Sequence, residues 1–148
     1  MALFQNGILI AGLSAWFIAQ AVKPFIGYTR SRRWNWGLWF SAGGMPSSHS
    51  ALMSSTALAA GLFEGFDSAA FAISVSIMMI VVYDAAGVRR QAGMHAERIN
   101  RIINEIFSGH PVNEKELKEV LGHTPRQVII GVILGIFTAL GVWVAFQP

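Results

Sequence analysis

The chain has 148 residues, of which 53% are hydrophobic and 13% charged, while soluble domains carry roughly a quarter charged residues. It holds no cysteine, which excludes a disulfide framework and any thiolate metal site. A pI near 9.8 could suit nucleic acid, but with a mean hydropathy of +0.49 it reads as membrane topology and anionic lipid headgroups, and no nucleic-acid partner is expected.

Apolar stretches lie at roughly 7–27, 47–66, 68–88 and 127–146. A bilayer core takes about 20 helical residues, so the expected architecture is an all-α integral membrane protein of four transmembrane helices, a single domain over 1–148. The second stretch is the shortest apolar run, interrupted by Ser54, Ser55 and Thr56; such small and hydroxyl residues suit a helix packed against other helices. All 11 Lys and Arg residues fall in 23–33 and 89–126, which four helices place on one side. Positive-inside then puts that side in the cytoplasm and both termini opposite, in a multi-pass cell-membrane protein. No positive segment precedes the first apolar run, so no signal peptide is expected.

In chain order, Gln20 and Lys23 share one face near the end of the first helix, where a lone lysine would by default snorkel to the interface. Arg30, Arg32 and Arg33 follow, with Trp34, Trp36 and Trp39, either as a membrane-interface anchor or as cations folding over an anion. The stretch Gly43-Gly44-Met45-Pro46-Ser47-Ser48-His49-Ser50 opens the second helix. Its glycines let backbone approach a ligand, Pro46 suits the first helical turn, and the serines flank orphan N–H groups that attract phosphate. His49 adds an imidazole able to donate a proton near neutral pH.

The third helix ends in Tyr83-Asp84-Ala85-Ala86-Gly87-Val88-Arg89-Arg90. An ionised Asp84 at the membrane is costly unless paired with an arginine or set to orient an imidazole. Segment 92–107 is expected to be an amphipathic cytoplasmic helix, with Ile99, Ile102, Ile103 and Ile106 on one stripe. Ser108–Pro111 breaks it, leaving His110 in a loop, and Glu114/Lys118 and Lys115/Glu119 pair on a short soluble helix. In Gly122-His123-Thr124-Pro125, Thr124 is the expected N-cap and Pro125 the first residue of the last helix, which holds His123 on the side of Lys23 and His49.

With these residues the chain resembles the type-2 phosphatidic acid phosphatase and vanadium-dependent haloperoxidase superfamily, and more closely its divergent small membrane branch. Lys23 and Arg30 keep the spacing of the superfamily's first motif, with Ser31 in place of proline and Arg32 as an alternative partner. Pro46-Ser47-Ser48-His49 matches Pro-Ser-Gly-His but for Ser48. In the third motif Arg89 and His95 keep their spacing, while Val88 replaces serine and Ile99 replaces aspartate.

The resemblance implies a membrane phosphatase that hydrolyses a lipid phosphate or pyrophosphate monoester at the cytoplasmic face through a phosphohistidine, without metal or other cofactor. Lys23, Arg30, Arg32, Ser47, Ser48, Arg89 and Arg90 would bind the phosphate, and His49 would be the acid. His123 is favoured over His95 as nucleophile, with Asp84 holding its second ring nitrogen. The alternatives are a catalytically inactive protein that binds or moves a phospholipid through the same anion site, and a purely structural bundle. A homodimer is compatible with four short helices.

Overall fold

The computed structural model describes residues 5–41, 43–106 and 123–146. The break at Ser108–Pro111, His110 and the pairs over 114–119 lie outside the described residues. Helix α1 spans Gly7–Ser31; the Asn6 side chain caps it by accepting from the Leu9 N–H at 3.0 Å, and Arg32 ends it in the left-handed region at φ 54°. A 3₁₀ turn, Trp36–Phe40, leads towards α2, Ser48–Glu64. A turn at Gly65, where φ is 97°, passes to α3, Ala69–Ala86. Helix α4, Val88–Ile106, begins one residue later, and α5 spans Pro125–Phe146.

Two local expectations change. Ser47 is the N-cap of α2, so Pro46 precedes the cap instead of occupying the first turn. Gly87 separates α3 from α4, so Val88–Arg90 start α4 and do not finish α3.

Among the described residues three segments are long and apolar enough to cross a membrane: Gly7–Thr29, the run Ala69–Ile103 and Pro125–Phe146. Helix α2 has only 17 residues and packs on α1, α3 and α5. The buried apolar residues are small, among them Ala11, Ala15, Ala19, Ala51, Ala59 and Ala139, while Leu13, Phe17, Met79, Ile80, Phe137 and Val144 are exposed. That is the reverse of a water-soluble core. It suits helices that meet through small residues and turn their large side chains to lipid. On α4 the buried positions are Gly93, Ala96 and Asn100, and Ile99, Ile102 and Ile106 are exposed.

Hydroxyls tie the seams where backbones approach closely. Ser55 Oγ donates to the Ala11 carbonyl at 2.9 Å across α1 and α2, and Ser54 Oγ to the Val132 carbonyl at 3.2 Å across α2 and α5. Gly131 and Gly135 form the α5 side of this contact. A Cβ at Gly131 would collide with the Ser47 carbonyl, and one at Gly135 with Ser54 Oγ and the Ala51 carbonyl.

Backbone atoms cannot step aside as a flexible side-chain tip can. Gly135→Ala is therefore expected to destabilise by about 1–3 kcal/mol, the usual cost of overpacking. Gly141→Ala, where nothing lies within 4 Å, should be neutral or gain up to about 1 kcal/mol of helix propensity. Thermal unfolding of both variants in detergent checks the pair, and equal Tm values would contradict the close seam.

Candidate active site

The small-residue seams end in polar groups. Steps of four along α1 lead through Ala11, Ala15 and Ala19 to Lys23, and steps of four back along α5 lead from Ala139 through Gly135, Gly131 and Gln127 to His123. Residues three or four apart share a helix face, so both stripes deliver their last side chain to the N-terminus of α2. The Ser47 N–H donates to the Gln127 carbonyl at 3.1 Å, joining the first turns of α2 and α5. Two helix N-termini, each with partial positive charge, thus meet beside a lysine.

Lys23 does not snorkel: it is 2% exposed, and its ammonium donates to the Ser41 carbonyl at 2.7 Å and, at a longer 3.4 Å, to Ser48 Oγ. Both acceptors are neutral, so the partners described here leave the buried charge without a counter-ion. Ser47 is fully buried; besides the N–H bond to α5, its hydroxyl oxygen accepts from the Ser50 N–H at 3.3 Å and the Ser50 hydroxyl at 3.0 Å. Ser47 therefore builds the helix terminus, with its N–H paired to the Gln127 carbonyl.

His123 is 2% exposed and is held at two points. Its backbone N–H donates to the Ala85 carbonyl at 3.0 Å, tying the start of α5 to the end of α3. Its Nδ1 lies 3.2 Å from Gln127 Oε1, and its ring centroid lies 6.3 Å from that of His49. Gln127 Oε1 also accepts from the Thr124 N–H at 3.0 Å, the third-residue half of a capping box. Because a backbone N–H can only donate, that amide atom is the oxygen, so Nδ1 carries the proton towards it. In the neutral ring the lone pair then sits on Nε2, which is buried and has no hydrogen-bond partner. Burial, first of all, lowers the imidazole's pKa from 6.5; the Gln127 bond raises it, Lys23 and His49 lower it, and the Gly44 backbone raises it. The balance favours a neutral ring at pH 7.

The second ring nitrogen, expected to be held by Asp84, is held by Gln127 instead. The signal was present as Thr124-Pro125-Arg126-Gln127, a capping-box pattern. Asp84 is half-buried near the end of α3, beside the Ala85 carbonyl that fixes His123. Arg32 is exposed at the C-cap of α1, and His95 is exposed on α4, whose contacts among the described elements are with α3. The side chains of Arg30, Arg89 and Arg90 lie outside the described residues. Among the described residues no three His, Asp or Glu side chains gather as a metal-ligand set.

If Gln127 orients the ring, Gln127→Leu should lose about 0.5–2 kcal/mol of stability through the cap and also free the imidazole. Gln127→Glu retains an acceptor for both donors and should restore the single His123 resonance environment. Imidazole NMR shifts, read alongside Tm, check this; identical His123 shifts in the Leu variant would contradict it.

The chain matches the Divergent PAP2 family over residues 4–138. It is 40% identical over 151 residues to the uncharacterized membrane protein YuiD of Bacillus subtilis (strain 168), covering 95% of this chain and 96% of that protein. No solved structure matches it. Apolar helices with lipid-facing exteriors, the paired helix starts at Pro46–His49 and His123–Pro125, and a match along nearly the whole chain lead to one assignment: this is a membrane protein of the Divergent PAP2 family.

Proposed function

We propose that the protein is a metal-free phosphatase acting on a lipid phosphate or pyrophosphate monoester. The observation that carries this is the Nε2 atom of His123, a buried lone pair without a partner, set beside His49 at the helix start whose Ser48 hydroxyl Lys23 reaches. A phosphate there would give the buried ammonium its counter-ion and take up the partial charge of two helix N-termini. Helix α2 is the fourth membrane helix in this reading, lined by its neighbours instead of lipid. The basic side faces the cytoplasm and both termini lie opposite.

The proposed reaction uses these groups in sequence. His123 Nε2 attacks phosphorus in line as the bond to the ester oxygen breaks, and His49 gives its proton to the departing alkoxide. Lys23 and the first-turn amides offset the charge on the non-bridging oxygens, joined through their sequence spacing by Arg30 or Arg32 and by Arg89 and Arg90. His49 then takes a proton from water, which attacks phosphorus; the P–N bond breaks and inorganic phosphate leaves. Gln127 holds the ring throughout, and Asp84 acts at the same helix end.

Release of inorganic phosphate by the detergent-solubilised protein tests the reading. His123→Ala and His49→Ala should each lose at least about 10²-fold in kcat, whereas His95→Gln should stay within roughly twofold. Turnover of no lipid or soluble phosphomonoester would overturn the enzyme, and vanadate binding without turnover would favour the inert anion-binding alternative suggested by Ile99 in the third motif. Turnover that is lost to a chelator and restored by a divalent cation would overturn the metal-free mechanism.

The pH dependence has a definite sign. The attacking ring must be unprotonated, and its folded pKa is lowered from 6.5. Activity should therefore persist as pH falls past 6.5 and fade only through the lower, folded value. An acidic limb of kcat/KM centred above that pH would exclude His123 as the nucleophile.

A further inference from the structure

Helix α4 is the element that the candidate site leaves unused. Steps of four, three and four residues join His95, Ile99, Ile102 and Ile106, all exposed, and the isoleucines open progressively, at 44%, 53% and 69%. Such spacing keeps side chains on one face of a helix. Gly93, Ala96 and Asn100 form a second stripe beside it, and that one is buried. The isoleucine stripe is therefore not the seam through which α4 packs on the protein. Exposed Arg98, four residues before Ile102, borders it on the side away from the buried stripe, and exposed Arg101 follows. Arg101 Nη2 lies 3.6 Å from Glu97 Oε1 with both side chains more than half exposed. An ion pair so open to water is weak and readily exchanged.

Helix α3 has 18 residues and so a length of about 27 Å, close to the depth of one hydrocarbon core. At its end Gly87, with φ −104° and ψ −84°, leaves the helical region, and α4 starts at the next residue. A crossing by α3 thus delivers α4 to a bilayer surface. Among the described elements α4 touches α3 alone. Over Val88–Ile106 the sequence carries four arginines against two glutamates. A second copy of the chain on this stripe would set two arginine-edged faces against each other. A lipid leaflet takes the isoleucines into its acyl layer and offers its headgroups to the arginines.

We propose that α4 is a docking surface for anionic lipid. Ile99, Ile102 and Ile106 enter the leaflet, Arg98 and Arg101 hold headgroup charges, and Arg101 exchanges Glu97 for lipid. His95 then lies at the start of the inserted stripe, away from the pair formed by His49 and His123. The surface does not depend on hydrolysis of phosphate: the lipid it takes is a bulk component such as phosphatidylglycerol, a phosphodiester.

The chain has no cysteine, so single labels can be placed without background. Full-length Ile99→Cys, Ile102→Cys and Ile106→Cys, with Glu97→Cys as the polar-face control, each carry a nitroxide. They are reconstituted in phosphatidylcholine vesicles with or without about 30% phosphatidylglycerol. Collision with oxygen, which concentrates in lipid, is compared with collision with a water-soluble nickel chelate. With phosphatidylglycerol the oxygen-to-nickel ratio at the three isoleucine positions should exceed that at position 97 by at least about fivefold. Omitting the anionic lipid, or adding Arg98→Gln and Arg101→Gln together, should lower that excess at least about twofold, whereas adding Glu97→Gln to the isoleucine-position variants should not lower it. Labels at 99, 102 and 106 as open to nickel as the control would overturn the proposal. So would labels shielded from both reagents, which would mean cover by protein, or a ratio indifferent to both phosphatidylglycerol and the arginines.

Discussion

The close approach of α2 to α5 is the contact on which the other features depend. Where Gly131 and Gly135 face Ser47, Ala51 and Ser54, no side chain separates the two backbones. Only at that distance can the Ser47 N–H reach the Gln127 carbonyl. The bond fixes the relative height of the two helix starts, and with it the placement of His49 against His123. In lipid there is no hydrophobic gain from bringing apolar helices together, so dispersion between small residues and the hydroxyl bonds of Ser54 and Ser55 supply the association.

The polar site is organised by backbone more than by charge. His123 is anchored by the Ala85 carbonyl and turned by a Gln127 side chain whose own orientation is set by the Thr124 N–H. Lys23 is drawn inward by the Ser41 carbonyl. None of these partners carries a charge, so none of them offsets the positive potential of the joined helix termini and the ammonium. Had a carboxylate held the ring, it would have offset that potential and repelled an anion. A carboxamide fixes the same tautomer without doing so.

The outer surface follows the same division between lipid and polar ends. Large apolar side chains cover α1, α3 and α5, and near the end of α1 Tyr28, Trp34 and Trp36 stack, with ring centroids 4.9 and 5.4 Å apart. Phe25 and Trp39 add edge-on contacts to this ladder at 5.5 Å. Such amphipathic rings favour the headgroup level of a membrane.

The sequence by itself determined the membrane class, because long apolar runs with few charges have no other stable solution. Cap chemistry placed the start of the last helix, where the Thr124 amide bonds within a single turn, and came within a residue or two at α2, where Ser47 caps and Pro46 precedes the cap. The small residues of α2 also announced a helix packed by others. Tertiary structure alone decided which partners those residues meet. Lys23 could have snorkelled, and its burial depends on the Ser41 carbonyl arriving from a loop 18 residues away. Asp84 was the expected orienting group for His123; Gln127 holds the ring because it lies in the first turn of the helix that His123 precedes, whereas a carboxylate on α3 depends on the interhelical distance. Arg32 carries the right charge at a motif-like spacing, yet the left-handed end of α1 leaves it exposed. Spacing along a chain specifies a helix face, but a site is made where faces of different helices meet, and that distance is set by packing.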